Sequence, residues 1–221
     1  MKLVCLGASN PEAITIFNAI KKTNKDIHFL GYIDNDEKKW GTDFYGYPVF
    51  GGKEKVSELS KEGAVFCNLI TRNCVTRYET TKELVERGAM LVNLIHPNVN
   101  LEMVKIGRGN YIQKSVILQA EVCIGNNSSV SSGSLIAHET NIGNSVFLAP
   151  GCTLSGKITI EDGVFIGTGV SIVPRVNIGK WSIIGAGTVI NKDVPPYSVV
   201  AGVPGKVIRN VEKKYVSGDI S

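Results

Sequence analysis

The chain has 221 residues, 43% hydrophobic and 20% charged, a balance that suits one large domain or two small ones and excludes a disordered or fibrous protein. A formal charge of +4 without a long basic block gives no footprint for nucleic acid, and no apolar run is long enough for membrane insertion. The five cysteines, at 5, 67, 74, 123 and 152, form no C-x-x-C pair, so neither a disulfide framework nor a zinc site is expected, and a reducing cytoplasmic setting is the simplest reading.

Residues 1–95 carry 25 of the 44 acidic and basic side chains, residues 106–190 only nine. The charged part reads as alternating strand and helix. Met1–Leu6 resembles the start of a signal peptide, but Gly7 and a polar stretch follow, without a full apolar region or a cleavage site. Leu3–Leu6 is a short apolar run that ends in Gly7-Ala8-Ser9-Asn10. Pro11 suits the first turn of a helix, where its missing N–H is not needed, and Ala13, Ile16, Phe17 and Ile20 follow at helical spacing. His28–Ile33 reads as a strand ending at Asp34-Asn35-Asp36, Lys53–Lys61 as a helix, Ala64–Ile70 as a strand and Tyr78–Glu86 as a helix before Gly88. Such alternation predicts a small parallel sheet with a Rossmann-like α/β arrangement.

From Ile106 to Ile190 every sixth residue is aliphatic, fifteen in one register. Four residues after each aliphatic the chain is small or β-branched, with Asn110 and Ile158 as the misfits. Glycine follows the aliphatic directly at 107, 125, 143, 167, 179 and 185. A period of six fits neither an α-helix nor a flat strand. It fits a strand that turns a corner once per repeat, with those glycines expected to ease the bend. Three repeats close a triangular coil, and coils stack by strand pairing about 4.8 Å apart. The 85 residues from 106 to 190 then predict four to five coils of parallel β-helix, the aliphatic column filling the prism.

These features resemble the hexapeptide-repeat acyltransferases with a left-handed parallel β-helix. The likeness is to the bacterial enzymes that acetylate nucleotide-linked 4-amino sugars: the bacillosamine-pathway enzyme, the GDP-perosamine acetyltransferases and the sialic acid O-acetyltransferase relatives. The residues that carry it are Leu94-Ile95-His96-Pro97, Ile136-Ala137-His138-Glu139, Leu148-Ala149-Pro150-Gly151, Ile184-Gly185-Ala186-Gly187 and the stretch from Asp193 to Pro204. The resemblance spans nearly the whole chain. It implies a nucleotide-sugar-binding domain at 1–95 and a β-helix acyltransferase domain with a C-terminal tail at 96–221.

Of three histidines, at 28, 96 and 138, only His138 lies inside the repeat. It falls in neither inward column, so it is not a core residue, and imidazole is well suited to proton transfer near neutral pH. Glu139 follows directly. In the resembled family the matching histidine is the general base and the acid after it raises its basicity. Neighbours on a strand point apart, so direct contact between the two side chains requires corner geometry. The reaction implied is transfer of acetyl from acetyl-CoA to the sugar amine without an acyl-enzyme. Cys152 sits in the inward column and reads as packing, and Cys123 has no nearby histidine, so a covalent cysteine route is not expected.

The resemblance further implies that acetyl-CoA lies in a groove on the β-helix between subunits. Gly156, Thr168 and Ala186 match cofactor contacts, and Phe147 stands where many relatives carry a histidine, offering apolar contact without a hydrogen bond. Lys180, Lys192, Lys206 and Arg209 are candidates for CoA phosphates. For the nucleotide sugar the candidates are Ser9 and Asn10 in the strand–helix turn, Asp34 and Asn35 where the relatives' acidic pair meets the base, and Arg72. The turn continues Asn10-Pro11 where the relatives have Gly-His, and it is not G-x-G-x-x-G, so NAD is not expected. A homotrimer is implied. Three alternatives stand beside this reading. A sugar O-acetyltransferase would use the same base. A non-catalytic β-helix scaffold is possible because fold does not fix function. The zinc carbonic anhydrases share the prism but need three histidines, and the repeat has one.

Overall fold

A computed structural model describes residues 1–71 and 73–211; Arg72 lies outside them. The first part is a three-stranded parallel sheet in the order β2–β1–β5, from β1 (Lys2–Leu6), β2 (His28–Ile33) and β5 (Ala64–Asn68). A two-stranded hairpin of β3 (Asp43–Phe44) and β4 (Tyr47–Pro48) follows β2. Helices α1 (Glu12–Thr23), α2 (Val56–Lys61) and α3 (Cys74–Glu86) complete the module. The apolar run of β1 is buried on both faces, as a central parallel strand requires. Ala13, Ile16 and Phe17 turn the inner face of α1 to it, and the Phe17 ring stacks on Phe29 at 3.7 Å.

Three local readings are corrected. The helix expected at Tyr78 begins at Cys74, because the Asn73 side chain accepts from the Thr76 N–H at 2.9 Å and caps the first turn. The strand expected to reach Ile70 stops at Asn68, whose side-chain oxygen accepts from the Ile70 N–H at 2.8 Å and turns the chain. The hairpin of β3 and β4 went unread. Its turn residues, Tyr45 and Gly46, both take positive φ, a two-residue turn whose usual Asn-Gly signal is missing.

From Lys105–Ile106 to Val189–Ile190, fifteen two-residue strands wind into five coils of a left-handed parallel β-helix. One face pairs Lys105–Ile106, Cys123–Ile124, Asn141–Ile142, Thr159–Ile160 and Asn177–Ile178. A second runs from Tyr111–Ile112 to Ile183–Ile184 and is lengthened by Leu94–Ile95 at one end and Ser198–Ala201 at the other. The third runs from Ile117–Leu118 to Val189–Ile190. The aliphatic column and the column four residues on form one continuous core. The misfit Asn110 is fully buried and satisfied: it donates to Gly125 O at 2.9 Å and accepts from Ser128 N at 2.8 Å.

The glycines after the aliphatics do not make the bend. The corner falls two residues later: every sixth residue from Gly109 to Gly187 has φ between +54° and +74°, the left-handed region, whether glycine or not. Gly107, Gly125 and Gly143 are needed for a different reason. At Gly125 a Cβ would stand 2.9 Å from the Gly143 carbonyl group of the next coil, too close for adjacent backbones to pair.

Candidate active site

His138 lies at the corner between the third face, after Leu135–Ile136, and the first face, before Asn141–Ile142. Glu139 is the left-handed residue of that corner, with φ +57°. This conformation turns its side chain back beside that of His138, and Glu139 Oε1 lies 3.0 Å from His138 Nδ1. An ionised carboxylate offers acceptors alone. The His138 hydrogen bond, with Lys157 as a further cause, holds the Glu139 carboxyl below the usual range, so Nδ1 carries the proton and donates it. The Nε2 lone pair is left free.

The 18-residue coil supplies the rest of this corner. Gly156, one coil on, lies under the imidazole, and a Cβ there would stand 2.6 Å from Nε2. Lys157, one coil on from Glu139, places Nζ 3.3 Å from Oε2. The His138 N–H donates to Gln119 Oε1 at 3.1 Å. About half of the His138 side chain remains exposed. A depression of about 760 Å3 borders Glu139 on the side of Glu121 and Cys123.

A second site lies at a different edge. A cavity of about 570 Å3 opens between the α/β module and the second face. Ser9, Asn10, Asp34 and Asn35 line it with Leu69, Ile70 and Thr71 from the module side; Gln113, Ser131, Phe147 and Pro150 line it from the β-helix. Asp34 is buried, and its carboxylate accepts from Ala8 N at 2.8 Å, Asp36 N at 2.9 Å and Lys39 Nζ at 2.9 Å. Lys39 Nζ also donates to Ser9 Oγ at 2.7 Å. Asp34 thus fixes the Gly7–Asn10 turn and the ammonium at its rim, while Asn35 is exposed beside it.

The expected site residues therefore fall into two groups. His138, Glu139 and Gly156 meet at one edge. Ser9, Asn10, Asp34, Asn35 and Phe147 line the cavity, and Thr168 and Ala186 stack coil by coil above Pro150 at its edge, as the Gly169 N–H to Pro150 O bond (3.0 Å) and the Gly187 N–H to Thr168 O bond (2.8 Å) show. The third face separates the two. Phe147 is buried and stacks on Phe165 at 5.2 Å. Cys152 is fully buried inside the prism, and burial pushes its thiol up to about 11. Lys157, Lys39, Gln113, Ser131 and the 69–71 wall were missed. Lys157 was legible as the residue 18 after Glu139; the others meet through the packing of two modules, which leaves no local pattern. Among the described residues no cluster of metal-ligating side chains forms, and no helix is long and apolar enough to cross a membrane.

Residues 157–192 match the bacterial transferase hexapeptide family (six repeats). No curated protein matches the chain in sequence. Among solved structures the chain is similar to PerB from Caulobacter crescentus in complex with CoA and GDP-perosamine, with 25% identity, a TM-score of 0.84 and coverage of 95% of this chain and 98% of that one. It is similar to the acetyltransferase domain of PglB from Neisseria gonorrhoeae at 26% identity and TM-score 0.84, covering 94% and 99%; that domain is also solved with acetyl coenzyme A. WeeI from Acinetobacter baumannii matches at 26% identity and TM-score 0.78, covering 94% and 100%. The resemblance drawn from the sequence holds over both the α/β module and the β-helix.

Proposed function

We propose that the chain is an acetyl-CoA-dependent N-acetyltransferase acting on a nucleotide-linked amino sugar, with His138 as general base. The observation that carries this is the orientation of the imidazole. Glu139 engages Nδ1 and leaves Nε2 as a free acceptor above Gly156, at a half-exposed edge of the prism. The neighbours solved with CoA, with acetyl coenzyme A and with GDP-perosamine support the two substrate classes.

The amine nitrogen attacks the thioester carbonyl carbon while Nε2 takes one of its protons. A tetrahedral oxyanion forms, steadied by N–H groups near the site. The C–S bond then breaks, the amide remains, and the imidazolium returns its proton to the CoA thiolate. Both substrates react directly, so holding them together supplies much of the rate.

Residues 1–95 would bind the nucleotide sugar and residues 96–221 acetyl-CoA. In the cavity Ser9 and Lys39 would meet the diphosphate, Asn35 the base and Pro150 the apolar face of the sugar, while Phe147 would offer apolar contact to the acetyl group of acetyl-CoA. Arg72 and the lysines at 180, 192 and 206 remain candidates for phosphate contacts, with Arg209. Gly156 of one edge and Thr168 with Ala186 of the other would face the pantetheine arm. Since the two edges lie on opposite sides of the third face, the site is read as assembling between neighbouring copies in a homotrimer. A cytoplasmic setting fits five free cysteines and a thioester substrate.

The test is release of free thiol from acetyl-CoA in the presence of UDP-, GDP- or dTDP-linked amino sugars. Wild-type protein should turn over one of them and His138→Ala should not. Absence of turnover by wild-type protein with all three would sink the reading and favour a scaffold.

A further inference from the structure

Away from both groups of site residues, one charged side chain is enclosed. Arg77, on α3, is 1% exposed, and among the described residues no carboxylate pairs with it. A guanidinium taken out of water needs a partner for each N–H. Here the partners are backbone carbonyls. Nη1 donates to Asn68 O at 2.7 Å and Ile70 O at 2.8 Å. Nε donates to Asn127 O at 2.6 Å, and Nη2 to Gly109 O at 3.2 Å and Ser128 O at 3.4 Å.

The five acceptors belong to the two modules, and of them Ile70 itself lines the cavity. Asn68 and Ile70 bracket and enter the segment that closes the cavity from the α/β module. Gly109, Asn127 and Ser128 lead into the strands Tyr111–Ile112 and Ser129–Val130, which run on to Gln113 and Ser131 on the opposite wall. The Thr81 hydroxyl repeats the link, donating to Asn127 Oδ1 at 2.9 Å while accepting from Asn68 Nδ2 at 2.8 Å. Apolar contacts also cross between the modules, Tyr111 joining the core beside β1 and Cys74 with Tyr78 of α3 meeting Phe147 and Trp181, but Arg77 is the charged group among them.

We propose that Arg77 is a positioning residue for the cavity, its planar guanidinium bolting one wall to the other so that their separation suits a nucleoside diphosphate. This rests on the reading of that cavity as the nucleotide-sugar site. Arginine is required because its donors point in fixed, coplanar directions; a lysine ammonium presents three from one atom and cannot reach both groups of carbonyls at once.

Full-length wild-type, Arg77→Lys and Arg77→Gln proteins would be titrated with UDP, GDP and dTDP, and separately with CoA, by calorimetry. Both variants should keep the wild-type circular dichroism and bind CoA within about twofold of wild type. Their affinity for the diphosphate that wild type prefers should fall by about tenfold or more. In turnover KM for the nucleotide sugar should rise while kcat moves little. Hydrogen exchange at residues 69–71 should quicken, with exchange in the coils beyond Leu135 unchanged. Folded variants with unchanged diphosphate affinity, or with CoA binding lost in equal measure, would overturn the proposal. Unfolding of both variants would assign Arg77 to folding and overturn it as well. Wild-type protein that binds none of the three diphosphates would instead overturn the reading of the cavity; exchange at 69–71 would still decide whether Arg77 holds that wall.

Discussion

Glu139 occupies a backbone conformation that costs a non-glycine residue roughly 1 kcal/mol, and that conformation is what lets it face the residue before it. The exchange gives His138 one defined tautomer. His138→Ala should lower kcat by about 10²–10⁴, the range for loss of a general base. Glu139→Gln keeps the shape and an acceptor but loses the charge-assisted bond, and kcat should fall about tenfold. The acid limb of the rate profile follows from the sign of the shift. The Glu139 carboxyl is depressed by its His138 hydrogen bond, so its contribution persists below the ordinary carboxylate range and is lost as pH falls through the depressed value. Loss of the Glu139 contribution therefore does not account for a decline in rate between neutrality and about pH 5. Measured kcat/KM that stays flat from about pH 5 to 9 would count against this base. The cysteines allow another measurement at this scale. Burial raises the thiols of Cys5, Cys67, Cys74 and Cys152, the last three to about 11, 12 and 11, while Cys123 is partly exposed. A chromogenic disulfide at about pH 8 should modify no native thiol other than Cys123, and all five after denaturation. His138 was legible as the lone histidine of the repeat, whereas the cavity walls at 69–71 and Gln113 were not, since no sequence periodicity links two modules that merely pack.

At the level of elements, a period of six with fifteen aliphatics in register dictated the β-helix, because such a column has no other geometry in which to be buried. What periodicity concealed was which residue of each hexapeptide bends. The glycine following the aliphatic is there for close coil approach, and the left-handed residue two places on is as often charged or polar as glycine, so composition hides the corner. Two substitutions separate these roles. Gly125→Ala would place a Cβ 2.9 Å from the carbonyl group of Gly143, forcing coils apart, and should cost about 1–3 kcal/mol. At Gly133, φ is +74° and nothing stands within 4 Å of the Cβ position. Gly133→Asn should therefore cost well under about 1 kcal/mol, since asparagine tolerates that region. Thermal melts of the two variants would rank them, and equal losses would show that space and backbone conformation had been misassigned. The α3 start and the β3–β4 turn escaped the sequence for the complementary reason: one is set by a single side-chain cap, the other by a turn at Tyr45-Gly46 that lacks its usual signal.

The whole molecule displays its two groups of site residues on separate edges of one prism, and this arrangement makes a demand on assembly. On the proposed reading, a sugar amine held in the cavity between the α/β module and the second face would have the third face between it and Nε2 of the same chain. In the proposed trimer, a neighbouring prism related by three-fold rotation would bring the His138 edge of one copy against the cavity edge of the next, and closed cyclic packing would repeat that contact at each interface. Sedimentation at micromolar concentration should accordingly give a trimer. A sharper measurement is complementation. Ser9→Trp fills the mouth of the cavity and His138→Ala removes the base, so each homogeneous variant should be inactive. Co-expressed in equal amounts, random assembly joins an intact cavity to an intact base at about a quarter of interfaces, and activity should return to about that fraction of wild type. Purified variants mixed without subunit exchange should stay inactive. If co-expression restores nothing while the mixed trimers form, base and cavity act within a single chain and the division of the site between copies is wrong.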